Sequence, residues 1–266
     1  MTKSPTLTPR TNGHAFDLGY SIRDLRFSAG RDHQFLAWRT EEALTEEAAI
    51  EGSTTLDVAC GTGQQAVRLH ERGVMAWGVE PSQEMLGLSR MLYPRGQVVL
   101  VRGVAEALPL RDGYFDQVIC RCALDHFADQ EAFMREAERV LRPGGRLIIA
   151  LNNYESLTCR VVRLGHRLTR SDSGRSPLSH HPFWELPSDH NYRSEISFAR
   201  GLGGSRFRLE RCYGVSMLWG FPGWGPLVDA LPSGVAQSFL TALDRVAHRL
   251  PAVGDIIVSV WRSRRT

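Results

Sequence analysis

Leu56-Asp57-Val58-Ala59-Cys60-Gly61-Thr62-Gly63 is the stretch that decides how this chain folds. The run TTLDVA (54–59) is apolar and rich in β-formers, and GQQAVRLHERG (63–73) after it has helical spacing and closes on a C-cap glycine. A strand that turns on glycines into a helix brings backbone N–H groups close to a ligand. Glu80 ends the next apolar run, VMAWGVE (74–80). An acid at that strand end accepts the hydroxyls of a ribose, so the pair of features predicts a nucleoside ligand.

Asp57 narrows the ligand. Gly61-x-Gly63-x-x-Ala66 also fits a loose dinucleotide fingerprint. A dinucleotide, however, lays its pyrophosphate over the turn, where a carboxylate in the strand repels it. S-adenosylmethionine has no phosphate and carries a sulfonium and an α-ammonium, which a carboxylate favours. The plainer role for Asp57 is capping of local backbone N–H groups.

Outward from this turn, strands and helices alternate. SQEMLGLSRML (82–92) reads as a helix, QVVLVRG (97–103) and FDQVICR (115–121) as strands, DQEAFMREAERVL (129–141) as a helix and RLIIAL (146–151) as a strand. Upstream, Arg31 to Ile50 is helix-like. Near-continuous apolar strands joined by helices form a parallel sheet covered on both faces, a doubly wound α/β fold. Past residue 151 the pattern changes to a basic helix-like piece (157–170), a Ser-rich break and HHPFWELPSDH. FRLERCYGV (207–215) and DIIVSVWR (255–262) read as the last strands, with the helix-like VAQSFLTALDRVAHRL between them.

Composition sets the outer bounds. The 266 residues are 42% hydrophobic and 23% charged, as in a globular domain, and no apolar run is long enough to span a membrane. MTKSPTLTPRTNG (1–13) has no secretory core, which predicts a loose tail and a cytoplasmic protein. Five cysteines, an odd number, do not form a disulfide framework. A net charge of +3 is too small to imply nucleic acid.

LDVACGTG resembles the first motif of class I S-adenosylmethionine-dependent methyltransferases. GVEPSQEML, GVAEALPL (103–110), FDQVICRCALDHF (115–127) and VLRPGGRLII (140–149) are similar to the family's later motifs, in order. The small-molecule branch that includes ubiquinone and menaquinone methyltransferases is the nearest in pattern. The resemblance implies a seven-stranded Rossmann-like sheet, mostly parallel with its last strand antiparallel, in one domain over 14–266. It also implies S-adenosylmethionine as cofactor. Asp57, Ala59, Cys60, Gly61 and Gly63 would hold its methionine part, Glu80 the ribose, Pro81 and Met85 the adenine face, and Ala105 and Glu106 the adenine edge. Arg121 would sit near the methionine carboxylate, and Tyr20 and Arg39 would close over the cofactor. Two positions depart from the pattern. Ala59 replaces a common glycine, which suits a negative φ. Val104 replaces an aspartate that contacts the adenine amine.

The acceptor side rests on other residues. His126, with Asp125 beside it, follows the fourth strand, and Asp189-His190 precedes a helix-like YRSEISFARGL. Either histidine is a candidate base or substrate contact. His180, His181, Glu185, Asp189 and His190 lack zinc-like spacing, so no metal is expected. Insertions at about 152–192 and 214–253 start from strand ends on the cofactor side and are expected to cap the site. They carry Trp184, Trp219 and Trp224 as substrate contacts, which points to a small apolar or aromatic acceptor. Arg160, Arg163, Arg167 and Arg170 recur at helical spacing, which suits solvent or an anionic membrane surface. An RNA methyltransferase and a cofactor-binding partner without catalysis are the alternatives. The first lacks both a basic RNA-binding domain and an Asn-Pro-Pro-aromatic motif, and only Val104 supports the second.

Overall fold

The computed structural model describes residues 30–169 and 190–266. In chain order the elements are α1 (Arg31–Ala48), β1 (Thr54–Val58), α2 (Gln64–His70), β2 (Met75–Glu80), α3 (Gln83–Leu92), β3 (Val99–Arg102) and β4 (Phe115–Arg121). A 3-10 turn (Leu124–His126), α4 (Gln130–Val140), β5 (Leu141–Asn152) and α5 (Leu157–Thr169) follow. The chain continues with α6 (Ile196–Gly201), β6 (Phe207–Val215), α7 (Trp224–Ala230), α8 (Ser233–Arg249) and β7 (Ile256–Ser263).

The strands form one sheet in the order β3-β2-β1-β4-β5-β7-β6. All neighbours are parallel except that β7 runs antiparallel to both β5 and β6. Strand order reverses between β1 and β4, so the crevice where such sheets take ligands opens at the carboxyl ends of these two strands. Every residue of β1 is buried, as a central parallel strand requires. Alternate residues feed two cores. Leu56, Val58, Val118, Cys120, Leu147 and Ile149 pack with Phe133, Met134 and Ala137 of α4. Ile119, Ile148 and Ala150 pack on the other face with Leu36 and Leu44 of α1 and Leu69 of α2. Burying one such large apolar side chain contributes roughly 1.5–3 kcal/mol.

Two elements differ from their sequence reading. β5 begins at Leu141, directly after α4, because Leu141 already pairs with Phe115 before a register shift near Gln117. Gly144 bends that lead-in at φ +67°. The helix expected in YRSEISFARGL is confined to Ile196–Gly201.

The second insertion divides. α8 packs along β6, α7 packs on α1, and the loop between Val215 and Gly223 occupies the carboxyl end of β6. On α5, Arg163 and Arg160 face Glu155 at 2.8 and 3.6 Å, so part of the basic face is neutralised. No described helix is long and apolar enough to cross a membrane.

Candidate functional site

The turn after β1 is held in left-handed backbone at three points: Ala59 (φ +56°), Gly61 (φ +57°) and Gly63 (φ +79°). The negative φ expected for Ala59 is therefore corrected. An L-residue with a Cβ pays about 1–2 kcal/mol in that region, and strain of this kind concentrates at functional sites. The turn is pinned on two sides. Gly63 N–H donates to Cys60 O at 2.9 Å, and Cys60 N–H donates to Val79 O of β2 at 3.1 Å. Above Gly61 the space is open: an added Cβ would meet nothing within 4 Å. Cys60 turns its thiol into the sheet, where a Cβ on Gly78 would stand 2.6 Å from Sγ. Its backbone shapes the turn, and its thiol reaches Gly61 O at 3.9 Å.

Glu80, 6% exposed, ties the end of β2 to this turn. Its Oε2 accepts Gly61 N–H at 2.8 Å, and its Oε1 accepts Ser82 N–H at 3.0 Å. Asp57 is 2% exposed. Burial pushes its carboxyl up to about 7; Arg121 opposes that rise, while Glu80 and Glu41 add to it. The crevice thus gathers three carboxyl groups, with the Arg121 guanidinium among them and Arg68 also paired to Glu41. Its electrostatics favour a cationic ligand and resist a polyphosphate.

Glu41 is the residue that sequence reading missed. It accepts Arg121 Nη1 at 2.8 Å, Gln64 Nε2 at 3.1 Å and Arg68 Nη1 at 3.4 Å. The available signal was an acid on the apolar stripe of α1, three residues before Leu44 and seven before Ala48. Arg39 lies about 200° around the helix from Glu41 and pairs instead with Asp244 of α8 at 2.9 Å and Glu46 at 3.3 Å. It links α1 to α8 and does not reach toward Asp57.

On the adenine side, Pro81 and Met85 are half-buried. Ser82 caps α3 by accepting Met85 N–H at 3.2 Å. Ala105 is buried in the core. Glu106 accepts Ala128 N–H at 2.8 Å, which ties the segment after β3 to the segment after β4.

Beyond β4, Cys122 is again left-handed at φ +49°, and the 3-10 turn carries Asp125 and His126. His126 Nε2 lies 3.0 Å from His190 Nε2. Asp125 Oδ2 is 3.5 Å from His190 Nε2 and accepts Asn152 Nδ2–H at 3.2 Å. Tyr154 Oη is 3.1 Å from His190 Nδ1. Asn191 fixes the pairing of the two segments: its N–H donates to Asp125 O at 2.6 Å, and its Nδ2 donates to His126 O at 3.2 Å and Phe127 O at 3.0 Å. The structure therefore brings His126 and His190 together, with Asp125 facing His190.

Trp219 donates Nε1–H to His33 Nδ1 at 3.1 Å and its backbone N–H to Asp255 at 3.1 Å. Trp224 packs into a satellite core with Phe35, Val228, Ala236 and Leu240, so its ring serves the helix layer. Tyr20, His180, His181, Trp184, Glu185 and Asp189 lie outside the described residues.

Residues 56–149 match the family described as a methyltransferase domain. An uncharacterized methyltransferase of Mycobacterium tuberculosis is 39% identical over 115 residues, 43% of this chain and 46% of that protein. The demethylmenaquinone methyltransferase of Thermus thermophilus is 36% identical over 136 residues, 49% of this chain and 59% of that one. The chain spans about half the length of these curated relatives. An S-adenosylmethionine-dependent methyltransferase of known structure from Thermotoga maritima shares the fold with a TM-score of 0.55 at 20% identity, over 87% of this chain and 91% of the other. Residues 56–149 thus carry a match to a methyltransferase domain, and the sheet order around them is that of the methyltransferase structures that share this fold.

Proposed function

We propose that the protein transfers a methyl group from S-adenosylmethionine to a small apolar or aromatic acceptor. The observation that carries this reading is the buried Asp57 carboxyl, held near neutrality by burial beside Glu80 and Glu41. Such a group gains most from a cationic ligand. The residues fit the cofactor: open space over Gly61 admits the methionine part, and Glu80 stands at the strand end where a ribose is bound.

S-adenosylmethionine, when bound, supplies a methyl carbon already activated by its sulfonium. The acceptor's lone pair would form the new bond to that carbon, the carbon–sulfur bonding pair would stay on sulfur, and the acceptor's proton would pass to water. The chain's own residues supply alignment and exclusion of water. Asp57 and Arg121 orient the charged methionine end, and Glu80 fixes the ribose. The cluster of Asp125, His126, His190 and Tyr154, just beyond β4, faces the acceptor. A small-molecule acceptor is supported by the demethylmenaquinone methyltransferase among the relatives.

Tritiated methyl transfer into fractionated extract tests this. Label in a small organic-soluble product, absent with Glu80→Ala, is the expected result. Label in RNA, or none, contradicts it.

A further inference from the structure

We propose that Asp125, His126 and His190 form a binding site for a divalent first-row transition ion such as zinc. Their ligand atoms all lie within 4.8 Å of one another. Two ligand atoms each about 2.1 Å from one ion stand roughly 3.0–3.5 Å apart in octahedral or tetrahedral arrays. The Nε2 atoms of His126 and His190 are 3.0 Å apart, and Asp125 Oδ2 is 3.5 Å from His190 Nε2; the third pair, Asp125 with His126, lies within 4.8 Å and closes on the ion as it binds.

Ring geometry separates this from a simple imidazole pair. A straight N–H···N bond would hold the ring centroids about 5 Å apart. The observed centroid distance is 4.2 Å, with the planes at 49°. The rings are therefore tilted off the line of a straight hydrogen bond.

The surroundings match a metal site's outer shell. Tyr154 Oη contacts His190 Nδ1 at 3.1 Å, so the tautomer that donates Nδ1–H to Tyr154 presents Nε2 as a lone pair, and Asn152 orients the Asp125 carboxylate. Asp125 is 1% exposed, and its Oδ1 has no hydrogen-bond partner among the described residues. Two imidazoles favour a transition ion over magnesium or calcium, which prefer all-oxygen shells. Three protein ligands leave a position open, as at catalytic centres. The inference departs from the expectation of no metal because its ligands are 64 residues apart in sequence and no spacing reveals them. Its purpose rests on the proposed function: an acceptor oxygen at the open position releases its proton to water more readily.

The test titrates tag-free, chelator-treated full-length protein with Co2+. Visible d–d bands should saturate at one ion per chain and disappear when Zn2+ is added. They should be lost in His126→Ala and in His190→Ala, and Tyr154→Phe should weaken affinity about 10–100-fold. Melting curves and S-adenosylmethionine titrations accompany each variant. If His126→Ala does not fold, His190→Gln and Tyr154→Phe carry the test. No bands in the wild type, or equal bands in the folded histidine variants, overturns the site. Cobalt binding without S-adenosylmethionine binding supports the site and contradicts the proposed function instead.

Discussion

The Glu80 carboxylate accepts the Gly61 N–H at 2.8 Å, so the acid at the end of β2 holds the glycine turn after β1 in place. The same carboxylate accepts Ser82 N–H at the start of α3. One side chain therefore links three segments of the crevice rim. Removing it strands one buried and one partly buried N–H group, and hydrogen bonds to a charged group contribute about 1.5–3 kcal/mol each. Glu80→Ala should lose about 3 kcal/mol of stability in urea denaturation and abolish detectable S-adenosylmethionine binding. Glu80→Gln, which keeps one acceptor oxygen, should lose about half of that stability.

The strained turn offers a gain. Ala59 holds φ +56°, a conformation open to glycine. Ala59→Gly should raise stability by about 1 kcal/mol, the αL cost less the extra entropy glycine loses on folding. Thermal melting should move upward, with cofactor affinity unchanged. A lower melting temperature would show that the strain is absent.

Buried acids give the protein an unusual pH response. Asp57 and Asp255 are both pushed up to about 7 by burial, against about 3.9 when unfolded. Between these values the folded state holds protons that the unfolded state has lost, so stability falls as pH rises through the window. Paired carboxylates such as Glu42, Glu136 and Glu210 are shifted down by arginines, and they lose stability only as pH falls below about 4. Cofactor-free protein should therefore melt highest near pH 5 and lower at pH 8, and Asp57→Asn should flatten part of that slope. A melting temperature that rises from pH 5 to pH 8 would contradict the assignment.

Trp224 and Trp219 should separate. Trp224 is buried among Phe35, Val228, Ala236 and Leu240, so Trp224→Ala should cost about 3 kcal/mol in folding while leaving KM for the acceptor unchanged. Trp219 stands in the loop after β6, half-buried against the core that holds Ile119. Trp219→Ala should raise acceptor KM more than it weakens cofactor binding. Steady-state kinetics on both variants checks this.

Much of the framework was legible because its signals are local. FDQVICR (115–121) and FRLERCYGV (207–215) have the bounds read from sequence, since each follows a glycine-containing turn, at Gly113 and at Gly203-Gly204. Asp57, Glu80 and the glycines are one strand-turn-helix unit apart, and the structure gathers them in one crevice. What depends on tertiary pairing was not legible. Glu41 meets Arg121 across 80 residues, and His126 meets His190 across 64. The positive φ at Ala59 escaped because residue type alone favours the opposite sign. The early start of β5 escaped because Arg142-Pro143-Gly144-Gly145 reads as a turn, whereas Leu141 already pairs with Phe115.

The central claim is that the crevice is built for a cationic methyl donor and against a polyphosphate. Calorimetric titration of S-adenosylmethionine and of NAD into wild type and Asp57→Asn at pH 8 tests it most directly. The account predicts that S-adenosylmethionine binds the wild type, weakens at least tenfold in Asp57→Asn, and binds the wild type about tenfold more weakly at pH 6, where Asp57 is mostly protonated. NAD should not bind the wild type. Tight NAD binding with no heat from S-adenosylmethionine would contradict the account.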